Sequence, residues 1–396
     1  MTGVHATDPL SRPITAGIVT ALVGFTSAFV VVLTGLRAVG ATPAQAASGL
    51  LTVCVTMGLG SLILAWRYRM PITVAWSTPG AALLAATGVV EGGWPAAVGA
   101  FLVVGALIVL TGLWPHLGRL IARIPPSIAQ AMLAGVLLPL CLAPVTGIVV
   151  NPWGVVPVVL TWLVFARLAP RWAVPLAFVA AAIVVGVSLA QEGASVDPAL
   201  LLPHVELTMP AFTLGALVSI AIPLYIVTMA SQNVPGVAIM RSFGYEVPWR
   251  PAMLVTGIGT AVGATAGGHA INLAAISAAL AAGPEADADP KRRWVAGVST
   301  GVASLVLGAA SAAFAALVLL APEAVIPAVA GVALFAAFGN AVQQAIDDPG
   351  ERMPAVVTFL VAASGVAILG VSAAFWALVA GLVVRTVLHA GRRRIS

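Results

Sequence analysis

The sequence predicts an all-α polytopic membrane protein. It has fourteen transmembrane segments in a 7+7 inverted repeat, with two half-helices preceded by short strands. Three observations lead there. Of 396 residues, 61% are hydrophobic and only 8% are charged, about a third of the charge of a soluble domain. The apolar runs match the roughly 20 residues that a helix needs to cross a bilayer. A faint internal repeat relates the two halves: Pro126, Ala134, Gly135, Val136 and Leu138 match Pro322, Ala330, Gly331, Val332 and Leu334 at a constant offset of 196. The mean hydropathy of +1.09 excludes a soluble enzyme, a disordered chain and a disulfide scaffold. Strands alternating over about ten residues, the mark of a membrane barrel, are missing.

The segments read in order as 14–36, 46–66, a short third from Ser77 to about 90, 95–114, 126–144, 153–168 and 172–190. A polar stretch from Gln191 to Pro210 separates the halves. The second half continues with 211–232, 251–266, a short tenth at 270–282, 293–320, 324–345, 354–370 and 373–390. The N-terminus, Met1 to Ser11, is polar and carries Asp8, unlike a cleaved signal peptide, so the first segment is expected to remain. Seven segments per half is an odd number, so the halves are expected to have opposite orientation, as in many secondary transporters.

The basic residues test this count. With the N-terminus cytoplasmic, Arg12, Arg67, Arg69, Arg119, Arg123, Arg167, Arg171, Arg241, Arg250, Lys291, Arg292, Arg293, Arg352, Arg385, Arg392, Arg393 and Arg394 all fall inside. Arg37 alone falls outside. Lys and Arg are retained on the cytoplasmic side, which implies a bacterial-type inner membrane protein with both termini cytoplasmic. The net charge of +5 is therefore topological and gives no reason to expect nucleic acid. Cys54 and Cys141 read as small buried hydrophobes, with no metal-ligand spacing.

Two interrupted segments occupy matching places. In Met70-Pro71-Ile72-Thr73-Val74-Ala75-Trp76-Ser77-Thr78-Pro79-Gly80-Ala81, β-favouring residues precede a helix-start signal. In Ala266-Gly267-Gly268-His269-Ala270-Ile271-Asn272-Leu273, the glycine pair breaks the chain and a new helix is expected near Asn272. Irregular backbone at membrane depth needs protein or a water-filled cavity around it. Paired interruptions are the best sequence pointer to a transporter's binding site. Half-helix N-termini there present N–H groups and a positive dipole end, which suit a carboxylate. The candidate contacts are Ser77, Thr78, Gly80 and Ala81 in the first segment and His269 and Asn272 in the second. A polar cluster read as ending segment 8, Thr228 to Gly236, adds Gln232 and Asn233, which are costly facing lipid. Phe25, Thr26 and Ser27 form a milder cluster in segment 1.

All thirteen acidic residues fall in predicted loops or termini. His269 is the one histidine expected deep in the membrane, so it is the candidate proton carrier. No nucleotide-binding loop, metal-ligand cluster or nucleophilic triad stands out, so no cofactor and no enzymatic chemistry are expected.

At these residues the sequence resembles the BenE-type benzoate:proton symporters. Pro71 to Ala81, Ser231-Gln232-Asn233-Val234-Pro235-Gly236, Gly267 to Ile276 and Ala281-Ala282-Gly283-Pro284-Glu285-Ala286 carry the resemblance. It implies the fold shared with uracil and sulfate transporters, divided into a core and a gate. Residues 1–120 and 205–320 then form the core, and 121–195 and 321–396 the gate. Nucleobase relatives use a glutamate on segment 8, where this chain has Ser231-Gln232-Asn233. That departure fits an anionic substrate, which a glutamate would repel. The resemblance implies import of benzoate or a similar aromatic carboxylate with protons. Phe25, Trp76 and Tyr225 are the candidates for the surface that meets the ring. Another anion on the same fold and a passive anion channel are the competing readings, and an apolar gate surface is compatible with a homodimer.

Overall fold

A computed structural model describes residues 10–114, 116–117, 124–193, 201–275 and 277–390. His5, Asp8, Arg119, Arg123, Asp197, Ile276 and the tail arginines Arg392 to Arg394 lie outside the described residues. The protein is a mostly helical, multi-pass membrane protein. Among the described residues, eight helices are long and apolar enough to span a bilayer, or nine if the bent pair Pro290–Ala309 and Ser311–Leu319 is one span. The sequence leads to an expectation of fourteen segments; several of the helices at those places are short, bent or broken.

The first span breaks in two, α1 (Ser11–Thr26) and α2 (Phe29–Ala38). The break falls at the Phe25-Thr26-Ser27 cluster, where Thr26 and Ser27 bond back to Leu22 O and Gly24 O. Such back-bonding competes with the helical ladder. Helix α3 (Pro43–Tyr68) starts with a capping box, in which Gln45 N–H donates to Thr42 Oγ1 and Thr42 N–H to Gln45 Oε1. It stops at Arg69, whose φ of 53° is left-handed, and the guanidinium lies 4.0 Å from the Trp294 ring centroid. Strand β1 (Val74–Trp76) and helix α4 (Thr78–Thr87) form the first interrupted segment. Then come α5 (Gly93–Leu113), α6 (Pro126–Val150), α7 (Pro152–Leu168) and α8 (Ala173–Glu192), with a single 3-10 turn, Pro170–Trp172, before α8.

The described part of the inter-half stretch is laced to helix ends. Glu206 N–H donates to Ser48 Oγ, Thr208 N–H to Thr265 O, Ala211 N–H to Pro95 O, and Trp94 Nε1 to Thr208 Oγ1. Helix α9 (Leu214–Ser242) follows, then α10 (Trp249–Ala264), β2 (Ile271–Leu273) and α11 (Ala278–Ala282). The last elements are α12 (Trp294–Ala309), α13 (Ser311–Leu319), α14 (Val325–Ile346), α15 (Arg352–Ala363) and α16 (Ala373–Ala390).

Four sequence expectations change. The polar cluster at Thr228–Gly236 does not end a helix: α9 runs on to Ser242, through π-helical turns at Leu217–Ala221 and Met229–Asn233. Widening the helix here accommodates Pro235, which has no N–H to give. The tenth segment does not restart near Asn272, because 271–273 is a strand and the helix after it has only five residues, 278–282. The eleventh is bent by 51° between α12 and α13. The thirteenth helix stops at Ala363, and Ile368 and Val371 bridge each other beyond it.

Candidate functional site

Strands β1 and β2 pair antiparallel at the centre of the molecule, with Val74 opposite Leu273, Ala75 opposite Asn272 and Trp76 opposite Ile271. Ser77 N–H to Ala270 O and Ala274 N–H to Thr73 O, each 2.9 Å, extend the ladder. A two-stranded sheet in a membrane leaves edge groups that water cannot satisfy. Here hydroxyls and an amide on neighbouring helices satisfy them. Val74 N–H donates to Ser61 Oγ of α3 at 2.8 Å, and Ile271 N–H to Thr260 Oγ1 of α10 at 3.0 Å. Leu273 N–H donates to Asn233 Oδ1 of α9 at 2.9 Å.

A cavity of about 340 Å³ lies beside this ribbon. Its wall includes Phe25 of α1, Trp76 of β1, Thr78 at the start of α4, Gln232 in the second π-turn, and Ser277. The Phe25 ring lies 5.6 Å from that of Trp76 and 4.7 Å from that of Phe314, centroid to centroid. Behind it Phe29, Phe178 and Phe314 pack edge-on or tilted against one another. This is one aromatic wall facing a small group of polar side chains.

The sequence candidates therefore separate. Phe25, Trp76, Thr78 and Gln232 face the cavity. Ser77, Gly80, Ala81, Asn233, His269, Asn272 and Tyr225 do not line it. Ser77 is buried as the N-cap of α4: its Oγ accepts from Gly80 N–H at 3.1 Å and from Thr228 Oγ1 at 2.9 Å. Ala81 N–H donates to Ser77 O, so the amides of Gly80 and Ala81 are both occupied. Gly80 cannot carry a side chain cheaply, since a Cβ there would sit 2.7 Å from Ser77 Oγ. Asn233 holds β2, and Asn272, in the amide orientation that satisfies its neighbours, accepts from Ser77 N–H at 3.0 Å. Tyr225 hydrogen-bonds Thr111 of α5. His269 is buried, and both its ring nitrogens lack a hydrogen-bond partner.

Ser277 escaped sequence reasoning. It precedes α11 as Ser77 precedes α4, but its hydroxyl makes no capping bond, which leaves it available to a ligand. A serine at the start of the second broken segment was the available signal, masked by placing the helix start at Asn272. Because α11 is barely longer than one turn, it has few aligned peptide dipoles to offer. Polar recognition on that side rests on the hydroxyl.

The cavity reaches Pro170 and Arg171 at one end, and there it meets a vestibule lined by Arg12, Arg171, Leu280, Pro284 and Glu285. On another face α9 is tied to the turn between α15 and α16. Ser372 N–H donates to Ser219 Oγ at 3.1 Å, Ser372 Oγ to Ser219 O at 2.9 Å, and Ser219 Oγ to Gly370 O at 3.3 Å.

Two broken segments crossing at a central cavity define a membrane transport fold. The same fold occurs in the transmembrane domain of a cyanobacterial bicarbonate transporter, BicA, at a TM-score of 0.60 and 16% identity, covering 97% of this chain and 98% of that one. SLC26A9 superposes at 0.62 and 12% identity, over 97% of this chain and 66% of that one. Sequence narrows the assignment: residues 8–387 match the family model BenE, benzoate membrane transport protein, and the chain belongs to that family. It is 36% identical to the inner membrane protein YdcO of Escherichia coli, over 94% of this chain and 95% of that protein. It is 27% identical to the benzoate membrane transport protein of Acinetobacter baylyi, over 94% of each.

Proposed function

We propose that the protein is a proton-coupled secondary transporter that imports benzoate or a similar aromatic carboxylate across the bacterial inner membrane by alternating access. The observation that carries this reading is the cavity's two-sided chemistry. Phe25 and Trp76 offer an aromatic face, and Thr78, Gln232 and Ser277 offer hydrogen bonds, with no acidic side chain among the described residues of the wall. A flat ring ending in a carboxylate matches both sides. Aromatic rings stack offset or edge-on, and hydroxyl and amide donors satisfy an anion that is almost wholly ionised at pH 7.

Fourteen segments follow when the short and broken elements are counted with the long spans. Paired contacts support their inverted repeat. Ser61 of α3 holds β1 as Thr260 of α10 holds β2, and the second and ninth segments correspond across the halves. Helix α5 packs on α10 as α12 packs on α3, as the same operation requires. We assign α1 to α5 and α9 to α13 to the core and the remaining helices to the gate, with the arginine-bearing vestibule facing the cytoplasm.

Carrying a benzoate anion inward against about 100 mV costs about 2.3 kcal/mol. A proton moving with it makes the step electroneutral and lets a pH gradient drive uptake. We assign the proton to His269, whose ring nitrogens have no competing bond. The test is radiolabelled benzoate uptake into proteoliposomes under an inward proton gradient, compared with empty liposomes and with an uncoupler. Protein-dependent accumulation that collapses with uncoupler is the expected result. His269→Asn is expected to keep benzoate exchange and lose accumulation, and retained accumulation removes His269 from the mechanism. No uptake above empty liposomes by folded protein sinks the substrate assignment.

A further inference from the structure

Among the described residues lining the cavity, one carries a charge: Arg171, on the single turn Pro170–Trp172. Its side chain also lines the vestibule, so whatever leaves the cavity this way passes the guanidinium. Nη2 of Arg171 lies 2.7 Å from Glu285 Oε2, and both side chains are more than half exposed. The pair joins two separate parts of the chain, the turn before α8 and the loop after α11.

The Glu285 loop is fixed in place. The buried Arg293 donates through Nη1 to Ala282 O at 2.9 Å and through Nε to Asp287 O at 2.8 Å. Tyr245 Oη donates to Pro290 O at 2.8 Å. A loop pinned at three carbonyls keeps the Glu285 backbone at the mouth, while its exposed side chain can leave Arg171 and return. A guanidinium takes carboxylates by a matched fork of N–H donors, whatever molecule bears them.

We infer that Arg171 is a second carboxylate-binding position, at the mouth of the cavity, which the substrate carboxylate and Glu285 occupy in turn. An anion leaving Thr78 and Gln232 moves to Arg171 by displacing Glu285, and Glu285 then returns and clears the cation. The cavity stays otherwise uncharged, so the anion is not trapped inside. This inference rests on the transport reading and adds a release-side subsite to it.

The test compares benzoate KM at the two faces of the membrane, using right-side-out and inside-out vesicles. Arg171→Cys is expected to raise KM about fivefold at the arginine-bearing face, the scale of a partly solvated charge pair, and to leave KM at the other face unchanged. Modifying that cysteine with an aminoethyl methanethiosulfonate restores a positive charge and should return KM towards wild type. The sulfonatoethyl reagent should raise it further. Cys54 and Cys141 are buried and do not compete for the reagent. Glu285→Gln is expected to lower KM at the same face. Equal effects at both faces, or identical effects of the two reagents, overturn the subsite and leave Arg171 a structural contact. Wild-type protein that carries no benzoate from either face overturns the transport reading, and this one with it.

Discussion

Ser77 and Thr78 are adjacent and both bear hydroxyls, yet the structure gives them different work. Ser77 is fully buried and spends its oxygen on Gly80 N–H and on Thr228. Thr78 turns its side to the cavity. Ser77→Ala is expected to cost about 1 kcal/mol for the lost cap, and more for the stranded Thr228 hydroxyl. It should appear as a lower melting temperature in detergent, with KM unchanged in the protein that folds. Thr78→Val is expected to leave melting almost unchanged and raise KM. A hydrogen bond to a charged group is worth roughly 1.5–3 kcal/mol, or about tenfold to a hundredfold in KM. Reversed effects would exchange their roles. The sequence made both residues candidates because a helix start displays its hydroxyls in a row. Which one faces the cavity depends on where Thr228 comes to rest, and Thr228 is 151 positions from Ser77. For the same reason Asn233 read as a ligand and proved to be a partner of the Leu273 amide.

Elements whose information is local were legible, and elements shaped by contact were not. Apolar runs and the Ser77-Thr78-Pro79 start act within a few residues, and α3, α4 and α16 lie close to their expected places. The π-turns of α9 have no such local signature. Gln232 reaches the cavity from within the second of them, where the widened turn departs from the regular spacing of an α-helix face. Just beyond that turn α9 presses on β2 at Gly236, where a Cβ would sit 2.8 Å from Ala274 O and 3.1 Å from Leu273 Cβ. Gly236→Val must therefore push β2 or α9 aside. The expected cost is about 1–3 kcal/mol of overpacking, with uptake lost because β2 is paired to β1 and runs into Ala274 and Ala275, and β1, Ala274 and Ala275 line the cavity. Gly339→Ala is the control, since nothing lies within 4 Å of that added carbon. Melting curves in detergent with uptake assays decide it, and wild-type uptake in Gly236→Val would mean that the α9–β2 contact does not shape the site.

At the scale of the whole molecule, alternating access needs contacts that hold in one state and part in the other. The tie between Ser219 and the Gly370–Ser372 turn has that character. It joins α9, assigned to the core, with the turn between α15 and α16, assigned to the gate, through three hydrogen bonds between buried serines and a carbonyl. The vestibule at Arg171 is open while this tie is closed. If the core moves against the gate, these bonds break and the opposite face opens. Hydrogen bonds of this kind contribute about 0.5–1.5 kcal/mol each in net terms, enough to hold one state and weak enough to release it. The double variant Ser219→Cys with Ser372→Cys, made with Cys54 and Cys141 replaced by alanine, is expected to form a disulfide under mild oxidation. The two residues are direct neighbours, each side-chain oxygen lying 2.9 to 3.1 Å from a backbone atom of the other. Oxidised protein is expected to lose benzoate uptake and exchange, and to regain both on reduction. Each single cysteine variant should transport with or without oxidant. A thiol placed in the vestibule should stay reactive in the cross-linked protein, because the lock holds that mouth open. Continued exchange in fully cross-linked protein would mean that α9 and the α15–α16 turn move together, and the boundary between core and gate would have to be redrawn with that turn on the core side.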